Sequence, residues 1–198
     1  MNTPNKLTVG RIVLSIILII IMVFPFSNVG IDMPMLKVGV LIEVKYLICA
    51  VLFIIASITD FLDGYLARKN NQVTDLGKML DSIADKILVN PILIIFASEG
   101  LISPIVPVII VVRDIVVNAI KMEASRHGKT VAAIGAGKIK TAALMVGIVL
   151  LFINNVPFVY LNIDVASLLI YFATIMSLVS MVEYYRLNKH FLKKQDVI

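Results

Sequence analysis

Six mainly apolar stretches follow one another along this chain, and little lies between them. Each is close to the roughly 20 residues that an α-helix needs to cross a bilayer. Hydrocarbon offers no partner to a backbone N–H or C=O, so a segment placed there must satisfy those groups within itself, as a helix does. Composition agrees. Of 198 residues, 60% are hydrophobic and 16% charged, whereas about a quarter of a soluble domain is charged. The expectation is an all-α membrane protein of six transmembrane helices, forming a single integral-membrane domain over residues 1–198.

The spans have soft boundaries. The first runs from about Leu7 to Phe26 and reads as a retained span, because no small-residue cleavage site follows it. A loop with Pro25, Gly30, Asp32 and Pro34 leads to the second, from Val44 to about Arg68. The polar run Lys69-Asn70-Asn71-Gln72 is a turn, after which Thr74 or Asp75 caps a third helix reaching Ala97. Pro104 and Pro107 open the fourth, which ends near Arg126. Gly135 and Gly137 precede the fifth, which stops before Asn154-Asn155-Val156-Pro157, and the sixth runs from Val165 to Tyr185. Ala166, Ser167, Ala173 and Ser177 give that last helix the small residues of a close helix contact.

Charge orients the spans. Lys6, Arg11, Arg68, Lys69, Lys78, Arg126, Lys129, Lys138, Lys140, Arg186, Lys189, Lys193 and Lys194 fall on one side, and the opposite loops hold little beyond Lys37 and Lys45. The positive-inside rule places that side, with both termini, in the cytoplasm. The net charge of +5 is therefore read as membrane topology. No aromatic-interleaved basic patch points to nucleic acid. Cys49 is the lone cysteine and reads as a small apolar core residue. His127 and His190 read as surface residues, and Tyr184 and Tyr185 as interfacial ones.

Four aspartates interrupt this pattern. Asp60 and Asp63 share a face of the second helix, three residues apart. Gly77, Asp81 and Asp85 recur every fourth residue along the third. Ionised groups within a membrane are costly and mark function by default. Clustered carboxylate oxygens suit Mg²⁺ or Mn²⁺, and a two-ion site of that kind serves phosphate chemistry. The short turn makes the two helices antiparallel neighbours, so their acidic faces converge. Gly64, Ala67 and Gly77 remove bulk beside them, and Arg68 stands where it can hold a phosphate. Two other readings stay open from spacing alone: a cation or proton pathway, and structural pairing with Lys78, Lys86 or Arg113.

The pattern Asp60-x-x-Asp63-Gly64-x-x-Ala67-Arg68, eight residues, then Gly77-x-x-x-Asp81-x-x-x-Asp85 resembles the signature of the CDP-alcohol phosphotransferase family, with every position filled. The resemblance implies a reaction in which an alcohol hydroxyl attacks the phosphorus of a CDP-activated donor and CMP leaves. It implies that Asp60, Asp63, Asp81 and Asp85 are ligands to divalent cations, two per site. Asp85 matches the family's general base, while Asp63, Gly64, Ala67, Arg68 and Gly77 match the positions that cradle CDP. A homodimer is also implied.

The rest of the chain bears on the acceptor. Pro4-Asn5, Leu7-Thr8 and Arg11, together with Gly137-Lys138-Ile139-Lys140-Thr141, resemble stretches of the bacterial phosphatidylglycerophosphate synthases within that family. Arg113-Asp114 resembles an Arg-Glu pair there, with a shorter acid. Thr8, Arg11, Arg113, Lys138 and Lys140 together can form a basic pocket beside the acids, which suits an acceptor carrying its own phosphate. The expected substrates are CDP-diacylglycerol and sn-glycerol 3-phosphate, within a bilayer of membrane lipids and at its cytoplasmic face. Serine, inositol phosphate or a phospholipid as acceptor would make it a sister enzyme. Simpler readings stand beside these: Asn5 and Thr8 as helix caps, Lys138 and Lys140 as topology charges, and Arg113 as the partner of a helix acid. A P-loop is excluded at Gly137-Lys138, since Ile139 stands where Ser or Thr is required.

Overall fold

A computed structural model describes residues 3–69, 74–126 and 135–192, except the side chains of residues 3, 4, 66–68, 75, 76, 78, 136 and 190–192. Six α-helices carry the fold: α1 (Thr3–Val23), α2 (Val44–Lys69), α3 (Asp75–Ser98), α4 (Ile105–Arg126), α5 (Gly135–Phe152) and α6 (Val165–Leu192). Among the described residues, three contain stretches long and apolar enough to cross a membrane: Asn5–Val23, Val44–Tyr65 and Val165–Lys189. Their outward side chains are oily. Ile20, Phe61 and Ile175 are each more than half exposed, as suits a surface covered by lipid rather than water.

The helix ends follow local chemistry. Thr74 caps α3, its hydroxyl accepting from the Gly77 amide at 3.0 Å. Gly100, with φ of 77°, closes the same helix in the left-handed conformation that glycine adopts most readily. Its N–H donates to Ala97 O, and Leu101 N–H donates to Phe96 O, the paired bonds of a Schellman ending. The glycines expected to precede α5 lie in its first turns instead, since it begins at Gly135.

Packing divides the helices into two groups. α1 lies against α2 and α3, while α6 lies against α4 and α5. α2 meets α5, and α3 meets α4, across the seam. There the rings of Phe53, Phe96 and Phe152 converge; Phe96 and Phe152 stand edge to face at 4.9 Å between centroids. α5 and α6 approach closely: a Cβ on Gly147 would fall 2.9 Å from Ile170 Cδ1. Ala166, Ala173 and Ser177 of α6 are buried, as their size suggested.

Among the described residues, one element departs from an all-helical reading. Between α1 and α2 the chain forms an antiparallel hairpin, β1 (Met35–Val38) with β2 (Val40–Glu43), turning on Gly39 at φ 73°. The Tyr160 hydroxyl donates to Val38 O at 3.0 Å and ties the turn to the α5–α6 connection. Four-residue strands are too short for their alternation to stand out among long apolar runs.

Candidate active site

The first half of α1, the end of α2 and the first half of α3 meet at one end of the bundle. α2 and α3 touch each other only slightly; α1 lies against both and joins them. The acidic faces therefore converge across α1 rather than along a direct α2–α3 seam. Carboxylate oxygens of Asp60, Asp63 and Asp81 lie within 4.8 Å of one another. A third helix supplies what relieves their repulsion. The fully buried Arg11 guanidinium pairs with Asp60, with Asp81 Oδ1 at 2.6 Å and with Asp85 Oδ1 at 3.5 Å. Thr8 donates to Asp63 Oδ2 at 2.8 Å. One guanidinium offsets one of four carboxylate charges. Three remain for cations, and an all-oxygen donor set suits a hard divalent ion.

Gly77 has a local reason as well. A Cβ there would stand 2.7 Å from Asn5 Oδ1 and 3.0 Å from Thr74 Oγ1. The glycine lets α1 approach the start of α3, where Asn5 is buried. Gly64 follows Asp63 within α2. The side chains of Ala67 and Arg68, which the family pattern assigns to CDP, lie outside the described residues. So do the 70–72 turn, His127, Lys129, Lys193, Lys194 and the side chains of Lys78 and His190.

Beside the acids opens a cavity of about 600 Å³ between α3, α4, α5 and α6. Asp85 lines it, so this residue belongs to both compartments. Arg113 and Lys140 are buried in its wall. Both donate to one oxygen, Asp114 Oδ1, at 2.9 and 3.1 Å. Arg113 also donates to Ser180 Oγ at 2.6 Å. Lys138 is exposed at the same cavity. The structure thus gathers Arg113, Lys138 and Lys140 with Asp85, but places Thr8 and Arg11 among the acids.

Among the cavity residues that sequence reasoning did not place in the site are Lys121 and Tyr184. Lys121 stands eight residues beyond Arg113, on the same stripe of α4, a spacing that was available to read. Tyr184, expected at a membrane interface, is 3% exposed and packs with Val117 and Ile120; its neighbour Tyr185 is 53% exposed. Cys49 is fully buried, as expected.

Comparison with known proteins accords with this geometry. A family model described as CDP-alcohol phosphatidyltransferase matches residues 1–180. A Bacillus subtilis protein named CDP-diacylglycerol–glycerol-3-phosphate 3-phosphatidyltransferase is 41% identical over 196 residues, covering 98% of this chain and 99% of its own. A Rickettsia felis protein of the same name is 30% identical over 192 residues, with 96% and 97% covered. The crystal structure of phosphatidylinositol phosphate synthase from Mycobacterium tuberculosis, in apo form, superposes with a TM-score of 0.60 at 18% identity. It covers 100% of this chain and 94% of that one, a likeness of fold. An acid-lined helical site and a match across most of the sequence lead to one conclusion: this chain belongs to the CDP-alcohol phosphatidyltransferase family.

Proposed function

We propose that this protein transfers the phosphatidyl group of CDP-diacylglycerol to sn-glycerol 3-phosphate, giving phosphatidylglycerol phosphate and CMP. The names of its relatives support the reading. The observation that carries it is the position of Asp85, at the wall shared by an acid cluster and a basic cavity. A reaction that joins a diphosphate donor to a phosphorylated alcohol needs both compartments and a base between them. An uncharged acceptor has no use for Arg113, Lys138 and Lys140.

Asp60, Asp63, Asp81 and Asp85 would hold two divalent cations, Mg²⁺ or Mn²⁺. Such ions supply charge neutralisation at the diphosphate and at the leaving oxygen. The chain's own residues do the remainder. Arg113 and Lys140 hold the acceptor phosphate, with Lys138 at the rim. Asp63, Gly64, Ala67, Arg68 and Gly77 cradle the CDP group. Asp85 accepts the proton of the attacking hydroxyl. The acceptor oxygen then bonds to the phosphorus that carries the diacylglycerol, the bond from that phosphorus to CMP breaks, and CMP leaves with its electron pair. Positioning and electrostatics suffice; no covalent enzyme intermediate is required.

An apolar groove of about 390 Å³ between α2 and α5, lined by Phe53, Ile58, Phe61 and Met145, supports a lateral path for an acyl chain. Met145 lines the basic cavity too. The full topology is six spans with both termini and the site at the cytoplasmic face, in a homodimer. Purified protein in lipid vesicles, given labelled CDP-diacylglycerol and each candidate alcohol in turn, tests the acceptor. Release of CMP with glycerol 3-phosphate is expected; turnover with serine or inositol phosphate instead rejects it.

A further inference from the structure

Five basic side chains line the acceptor cavity among the described residues: Lys86, Arg113, Lys121, Lys138 and Lys140. Lys86 is half-buried, and the other four stand in two tiers. Arg113 and Lys140 are buried and share Asp114. Lys121 and Lys138 are exposed. Arg113 and Lys121 lie on one stripe of α4, about 12 Å apart along its axis. The inner cation is buried and the outer one exposed, so an anion arriving from outside meets Lys121 first.

Tyr184 of α6 fills the wall between the two tiers. Its ring packs on Val117 and Ile120, the α4 residues that separate the two cations. Lys121 Nζ lies 5.3 Å from the ring centroid and Arg113 Cζ 5.9 Å, both within the reach of a cation–π contact. A surface lysine ordinarily samples many rotamers. Here an aromatic face gives it a seat at the open side of the cavity.

We propose that Lys121, seated on Tyr184, is an outer anion station that receives the phosphate of the acceptor before Arg113 and Lys140 take it. The inference rests on the acceptor reading above. An exposed cation acts through its field, and salt screens that field. Lys121 therefore serves capture of the acceptor and not the chemical step.

The test measures glycerol 3-phosphate kinetics at saturating CDP-diacylglycerol over a range of salt. Lys121→Gln should lower kcat/KM for the acceptor about tenfold at low ionic strength, at the modest end of electrostatic steering. The gap should close towards 1 M salt, where the Debye length is about 3 Å. Neither kcat nor the donor KM should follow it, and Lys121→Arg should retain the wild-type salt slope. Tyr184→Phe keeps the ring face and should keep that slope; Tyr184→Leu should flatten it. A Lys121→Gln enzyme with the wild-type slope overturns the proposal, as does one whose kcat falls in step with kcat/KM. A Phe variant as flat as the Leu variant removes the ring's part. Unmodified enzyme that ignores glycerol 3-phosphate but releases CMP with another alcohol fails the acceptor reading itself, and this inference with it.

Discussion

The acid cluster and the basic cavity adjoin each other and are built in opposite ways. Asp60, Asp63, Asp81 and Asp85 come from two helices adjacent in sequence, at helical spacing. Their burden is mutual repulsion, relieved here by Arg11. The cavity draws Asp85, Arg113, Lys140 and Tyr184 from four helices. Its burden is excess positive charge, reduced by Asp114. One site needs cations to be tolerable; the other is prepared for an anion. On the proposed function, the diphosphate end of the chemistry belongs to the first and the acceptor to the second.

The strongest way to break that assignment is to remove the cations. Chelation of divalent ions should abolish turnover, and Mg²⁺ or Mn²⁺ should restore it. Persistent activity in chelator would mean that Arg11 alone neutralises the acids. Asp85→Asn comes next. It keeps the shape of the shared wall but removes the base, and a drop of about 10²–10⁴ in kcat is expected, with CDP-lipid binding retained. An undiminished rate would take the proton elsewhere. Arg113→Ala should act on one compartment only, raising the acceptor KM by about tenfold or more while the donor KM changes little. Equal effects on both would dissolve the division.

The two regions also differ in how far they could be read from sequence. Acids at i, i+3 and i, i+4 name their helix face directly, and the Thr74 cap and the small residues of α6 were equally local. What could not be read is which helix brings distant faces together. Arg11 stands in no fixed register with Asp60 or Asp81, so only the packing of α1 against both α2 and α3 reveals it as their counter-ion. Tyr184 looked interfacial because its sequence neighbours are aromatic and basic. Its burial is set by the rotation of α6 against α4, which periodicity alone leaves open when nearly every face of the helix is apolar.

The finest test of the comparison concerns Asp114, the acid inside the basic region. Its Oδ1 accepts from both Arg113 and Lys140, so it holds two cations that otherwise repel each other, while its own charge opposes an incoming phosphate. Asp114→Asn keeps the shared Oδ1 as an acceptor and removes the charge, which weakens both bonds. If holding the cations in place matters more, the acceptor KM should rise about threefold to tenfold, the scale of weakening charge-assisted hydrogen bonds, with kcat near wild type. A fall in KM would mean that charge opposition outweighs positioning, and that the cavity gains from every added unit of positive potential. The double variant Arg113→Ala/Asp114→Asn separates the two. If Asp114 acts by orienting Arg113, its effect should largely vanish once that arginine is gone; a full additive effect would leave Lys140 as its main client.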